Sequence, residues 1–230
     1  ANATAVAAIS TTPLGAISTA FAKAPLGGGT AVSTHRMKLG EFEITTLLDG
    51  FIDINPAVLL GEPEVIKRHL EAAQLWGSPI RTAVNAFLVN TGEKLVLIDC
   101  GGAKMLGPNA GRLPQALVQL GLNPSMVDEV YITHAHGDHL HGAVTPEGVK
   151  LFPNAVLRIS KPELEYWGSP TVEAAAPADQ KVRFAAMKRA MAAYGDRLQA
   201  FDIGAELTAG IRSVDGTGHT PGHSCYMVTS

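Results

Sequence analysis

At 230 residues, 46% hydrophobic and 17% charged, the chain is long enough to bury one sizeable core and fits one large domain better than two small ones. A formal charge of −3 leaves no basic face for nucleic acid, and no apolar run reaches the roughly 18 to 20 residues of a membrane span. The two cysteines, Cys100 and Cys225, are too few for a disulfide-built scaffold or a cysteine-rich zinc site, and whether they pair is left open.

Residues 1 to 36 read as a flexible N-terminal extension. The first 34 are rich in Ala, Thr, Ser and Gly, with Lys23 their only charge. Gly27-Gly28-Gly29 is a linker, since no helix start follows to make a phosphate loop. A mature end left by a removed export signal suits this composition, which favours the periplasm or secretion slightly over the cytoplasm.

The folded domain is expected over residues 37 to 230. Glu43 to Leu48 and Phe51 to Ile54 flank Asp49-Gly50, which predicts a hairpin. Glu62 to Trp76 carries Val65, Ile66, His69, Leu70 and Ala73 at helical spacing. Ala83 to Val89 and Lys94 to Asp99, joined by Asn90-Thr91-Gly92-Glu93, predict a second hairpin, apolar enough to be covered on both faces. A helix follows over 111–120 and a strand over 127–133. Further on come a strand over 155–160, helices over 161–167 and 178–194, and strands over 211–214 and 225–228 that flank the loop Gly216 to His223. Strands first, then strands mixed with helices, predict an α/β sheet covered by helices.

The strand ending at Thr133 delivers His134-Ala135-His136-Gly137-Asp138-His139. In extended chain, side chains two apart share a face, so His134 and His136 can grip one metal ion. Gly137 lets the chain turn, and Asp138 and His139 then address a neighbouring point. Imidazoles with one carboxylate suit Zn²⁺, with Fe²⁺, Mn²⁺ or Co²⁺ tolerated. The lone histidines His35 and His69 read as structural, and His141 as a pocket wall or a support behind the ligands. Cys225 reads as a small buried strand residue, not as a nucleophile.

Here the sequence resembles the metallo-β-lactamase superfamily, whose signature stands as Thr133 to His139. Leu97-Ile98-Asp99-Cys100-Gly101-Gly102 upstream and Gly218-His219-Thr220-Pro221-Gly222-His223 downstream support it. Within the superfamily it is most similar to the methyl parathion hydrolase and lactonase branch, through Lys38 to Ile44, Leu88 to Gly92, Gly111-Arg112-Leu113, Val127 to His134 and Phe152 to Val156.

The resemblance implies the αβ/βα sandwich of that superfamily and a centre of two divalent ions, zinc foremost, bridged by a hydroxide that attacks a lactone, an ester or an organophosphate ester. It assigns His134, His136 and His223 to one metal, and Asp138, also a catalytic residue, with His139 to the second. His219 is expected as a loop residue, and Asp99 as a carboxylate behind the ligands. Leu106, Trp167 and Phe184 fall where relatives line the substrate pocket, with Leu106 in place of an expected Phe, which weighs against phosphotriesters. A small-molecule substrate is implied, with no nucleic acid or membrane partner and homodimerisation left open. The family's bridging Asp and last His do not occur before Ser230, so the C-terminal half is expected to be incomplete. Two alternatives follow: an iron-dependent oxidoreductase of the sulfur dioxygenase type, in which one metal suffices, or an inactive truncated metal-binding remnant.

Overall fold

The structure, a computed structural model, describes residues 33–230. Most of the expected extension lies outside the described residues, and its last residues already belong to the first strand, β1 (Thr34–Leu39). The second strand, β2 (Phe42–Ile54), departs from the expected hairpin: it runs straight through Asp49-Gly50 and pairs along its length with β3 (Ile80–Asn90). The dipeptide is a β-bulge, marked by a register shift between Leu48 and Gly50. Its cause is tertiary. The buried carboxylate of Asp49 accepts the amides of Gly102 (3.0 Å), Gly111 (3.2 Å) and Leu113 (3.0 Å), and a Cβ on Gly50 would overlap the Asn109 carbonyl.

The helix expected after β2 is α1 (Pro63–Ala72). β3 and β4 (Leu95–Ile98) form the second hairpin as expected. After α2 (Leu113–Gln119) the sheet continues with β5 (Glu129–Tyr131), the short α3 (Gly137–Leu140), β6 (Val156–Ser160), α4 (Lys161–Gly168), α5 (Pro170–Ala175), α6 (Lys181–Tyr194) and β7 (Leu198–Phe201). The seven strands lie in chain order, antiparallel as far as β4 and parallel from β4 to β7. β8 (Glu206–Thr208), β9 (Ile211–Asp215) and β10 (Ser224–Val228) make a second, antiparallel sheet. The mixed α/β architecture is therefore the expected one.

Strand alternation divides the apolar residues between two cores. On the helix side, Leu97, Val130 and Leu157 pack with Leu117 of α2, Trp167 of α4 and Phe184 and Met187 of α6. On the other side, Val96, Ile98 and Tyr131 pack with Ile211, Tyr226 and Val228 of the small sheet. A fully buried aliphatic side chain contributes roughly 1.5–3 kcal/mol, and β4 collects that on both faces. The buried face of α6 holds Phe184, Met187, Ala190 and Tyr194, whereas Val182 of the expected stripe is 50% exposed. In the small sheet Ser224 is buried, which turns Cys225 outward, so the expectation that Cys225 is buried is corrected. Cys100 is buried, and both thiols are free.

Parallel strands bring their carboxyl ends to one edge of the sheet, where open α/β sheets build their sites. The segments leaving β4, β5 and β6 carry Asp99, His134 and Glu163 respectively.

Candidate metal centre

His134 sits at the middle of five imidazoles. Its ring centre lies 4.6 Å from that of His136, 4.1 Å from His139, 4.7 Å from His223 and 4.8 Å from His219. Asp138 and Asp99 join through His139, so every expected ligand and the expected supporting carboxylate meet at one place. Ligand nitrogens of His134, His136 and His219 fall within 4.8 Å of one another. His219, expected as a loop residue, thus enters the cluster, with its Nε2 3.0 Å from His136 Nδ1.

The hydrogen bonds assign the tautomer of His134. Asp99 leaves β4 with φ of +59°, a left-handed conformation that Asp tolerates better than most residues. Its carboxylate accepts the Thr133 amide at 2.8 Å and the Thr133 hydroxyl at 2.9 Å. Having given its proton to Asp99, the hydroxyl oxygen accepts from His134 Nδ1 at 3.0 Å. The lone pair of His134 is left on Nε2, which is buried and has no hydrogen-bond partner; His223 Nδ1 is in the same position. Buried polar atoms without partners are rare and costly, and a cation that accepts nitrogen lone pairs satisfies them.

His139 gives the second sign. Its Nδ1 lies 2.7 Å from Asp99 Oδ2 and its Nε2 3.2 Å from Asp138 Oδ2. A neutral ring donating to Asp99 would point a lone pair at the Asp138 carboxylate, so the two groups must share a proton or a metal ion. With a proton there, burial works against charging the ring, but Asp138 and Asp99 overcome it and raise its pKa to about 10. Burial also works against charging Asp138, but His139 overcomes it and holds the carboxyl at about 2. His134 is pushed down to about 2 by burial and by His139 and His136, and His136 to about 4 by burial and by Arg183. His223 is lowered by burial and by His219. Metal ligands must be unprotonated, and these three rings are neutral at pH 7. The donor set therefore fits divalent metal.

Three participants had no sequence signal strong enough to single them out. Arg183 of α6 places Nη1 3.2 Å from His136 Nε2, Thr133 orients His134, and Glu163 binds both histidine segments from behind. Thr133 was in view as part of the signature, but its hydroxyl role needs Asp99 beside it. Trp167 is 3% exposed and meets His136 edge-on at 5.9 Å, with Phe184, fully buried, packed at a tilt against it at 4.9 Å. Leu106 closes over Gly102, at which a Cβ would overlap the leucine side chain. His35 and His69 are exposed on β1 and α1. His141 has both ring nitrogens buried without partners and borders a cavity of about 360 Å³ that also touches Cys100, Met105, Pro114 and Leu151.

The metallo-beta-lactamase superfamily, as a family, matches residues 79–229. The chain belongs to this superfamily, one of metal-dependent hydrolases. Among solved structures it is similar to AbOPH, a hydrolase in the beta-lactamase superfamily, with a TM-score of 0.80 and 30% identity over 88% of this chain and 72% of that one. It is also similar to AidC, a dizinc quorum-quenching lactonase in complex with its product, with a TM-score of 0.78 and 28% identity over 86% and 71% of the two chains. Ribonuclease BN of Escherichia coli O17:K52:H18 is 30% identical over 113 residues, which are 39% of this chain and 34% of that protein. The chain thus spans only about a third of the curated relatives it matches.

Proposed function

We propose that the chain is the metal-holding part of a hydrolase that opens a lactone or cleaves another ester, organophosphate esters included, with two divalent ions, zinc first among them. The observation that carries this reading is the pair of buried, unpartnered nitrogens, His134 Nε2 and His223 Nδ1, set beside the carboxylates of Asp99 and Asp138, which among the described residues pair with no Lys or Arg. When bound, such ions acidify a coordinated water and polarise the carbonyl or phosphoryl oxygen of the substrate.

The chain's own residues divide the work as follows. His134, His136 and His223 hold one ion, with His219 within reach of the same point, and Asp138 and His139 hold the other. Asp99 fixes His139 through Nδ1 so that Nε2 faces the centre. Asp138, an ionised carboxylate at the centre, is placed to hold a proton released there. Leu106 and the cavity beside His141 offer apolar surface for the remainder of a substrate, while Trp167 supports the ring of His136 and Phe184 backs Trp167. Likeness to the lactonase AidC over 86% of the chain favours a lactone over the RNA that the ribonuclease names suggest.

The test is metal analysis of the full-length protein followed by a hydrolysis screen of lactones, aryl esters, methyl parathion and RNA. Two zinc-like ions with lactone opening are expected. Bound iron with oxygen uptake, or RNA as the only substrate cleaved, overturns the reading. Asp138→Ala should lose one ion and most hydrolysis while the protein stays folded.

A further inference from the structure

α4 contributes a side chain that belongs to none of the metal-binding motifs. Ser160 caps the helix through the Glu163 amide (3.4 Å), and this start turns the Glu163 side chain inward, where the residue is fully buried. No Lys, Arg or His lies in ion-pair range of its carboxylate among the described residues. Its oxygens accept four neutral donors instead. Oε1 takes the Ala135 amide and the Trp167 indole N–H, both at 2.8 Å. Oε2 takes the Thr220 hydroxyl at 2.7 Å and the Gly222 amide at 2.9 Å.

The positions of those donors matter. Ala135 stands between His134 and His136, Thr220 and Gly222 stand between His219 and His223, and Trp167 supports the ring of His136. One carboxylate therefore joins the two histidine segments, which are more than eighty residues apart in sequence. We propose that Glu163 is a positioning residue that sets the spacing of these segments, so that their imidazoles address the same metal. It touches no ligand and acts through two backbone amides, the Thr220 hydroxyl and the Trp167 indole. The proposal rests on the metal-centre reading above.

The chemistry explains why the residue is Glu. A carboxylate offers about four acceptor sites and no donor, which matches four donors. Gln at this place could serve Ala135 and Trp167 with its oxygen, but its NH₂ would face the Thr220 hydroxyl and the Gly222 amide. A buried charge without a cationic partner is expensive, and four short hydrogen bonds are what make it tolerable. Gly222 completes the joint, because a Cβ there would overlap the Glu163 amide nitrogen and crowd Ser160 Oγ.

The experiment compares wild type with Glu163→Gln and with Glu129→Gln, a buried carboxylate on the sheet, by Co²⁺ titration with chelator competition and by amide exchange of the metal-free proteins. For Glu163→Gln the expected result is about a 10- to 100-fold loss of Co²⁺ affinity, an altered visible Co²⁺ band, and faster exchange at Ala135 and Gly222. Glu129→Gln should lose stability and keep the wild-type affinity and band. Wild-type affinity, band and exchange in Glu163→Gln overturn the proposal, and so does an equal affinity loss in Glu129→Gln. If wild type binds no Co²⁺, the metal reading fails by itself and exchange at Ala135 and Gly222 decides the role of Glu163. Should Glu163→Gln fail to fold, Thr220→Val removes one donor and leaves Glu163 in place. A weakened Co²⁺ affinity in that variant supports the proposal, and an unchanged one overturns it.

Discussion

Glu129 and Glu163 are buried to 3% and 0% exposure respectively, and the chain treats them in opposite ways. Glu129 on β5 meets Lys94 from the turn just before β4, Arg158 from β6 at 2.6 Å and the Tyr131 hydroxyl at 2.8 Å. Its charge is closed off inside the protein, and the result is a brace across three neighbouring strands. Glu163 meets only neutral donors, and among the described residues the one ion-pair partner of Asp99 and Asp138 nearby is His139. Arg183, the guanidinium that reaches this cluster, addresses an imidazole and not a carboxylate. Since leaving a buried charge unpaired is costly, the protein accepts that cost at the edge where β4, β5 and β6 end and avoids it within the sheet. Burial of a carboxylate alone is therefore a poor sign of a site, and the kind of partner it keeps is a better one.

The largest effect on this contrast should come from Gly222→Ala. The added Cβ strikes backbone at Glu163, so the loop and the start of α4 cannot both keep their places. Overpacking costs roughly 1–3 kcal/mol, a clash with backbone lies at the upper end of that range, and metal affinity should fall by more than that of any variant that only removes a hydrogen bond. Urea unfolding with chelator competition measures both, and an alanine variant with native affinity would show that the loop is held by something other than Glu163.

Glu129→Gln comes next and sharpens the other side. It breaks a buried pair and should cost about 2 to 3 kcal/mol at pH 7, below the usual range for such breaks because Lys94, 43% exposed, can regain water. Its pH dependence has a defined sign. Burial works against charging Glu129, but Lys94 and Arg158 win and lower its pKa from 4.5. The stabilisation is therefore complete above pH 4.5 and is lost as pH falls through the lower folded value. Unfolding curves of wild type and variant should converge in that acid range, and a gap that stays constant to pH 2 would rule out ion pairing as its cause.

The comparison also explains what was legible in the sequence. The histidine run, the helices α1, α2, α4 and α6 and the hairpin of β3 and β4 follow from local spacing and were readable. Asp49-Gly50 misled, because the amides of Gly102, Gly111 and Leu113, 53 to 64 residues away, decide whether that dipeptide turns. β7 and β8, of four and three residues, are too short to show a period, and strand pairing alone defines them. Glu163 and Glu165 are alike in sequence, two residues apart in one helix. Only the packing of α4 against both histidine segments separates the buried one from its neighbour.

The smallest effect, and the most specific, is expected from Thr133→Val set against Thr133→Ser. The hydroxyl stands between Asp99 Oδ2 and His134 Nδ1, and valine keeps its shape while removing that link. Stability should fall by only about 1 kcal/mol, since the Thr133 amide still donates to Asp99 at 2.8 Å. The tautomer of His134 would no longer be fixed, and metal affinity should drop by about 10-fold. Serine restores the hydroxyl and should restore the affinity. Because valine leaves every candidate ligand in place, an affinity loss rescued by serine comes from the hydroxyl link that joins Asp99 to His134 Nδ1, and equal affinity in all three proteins would mean that the metal itself selects the tautomer.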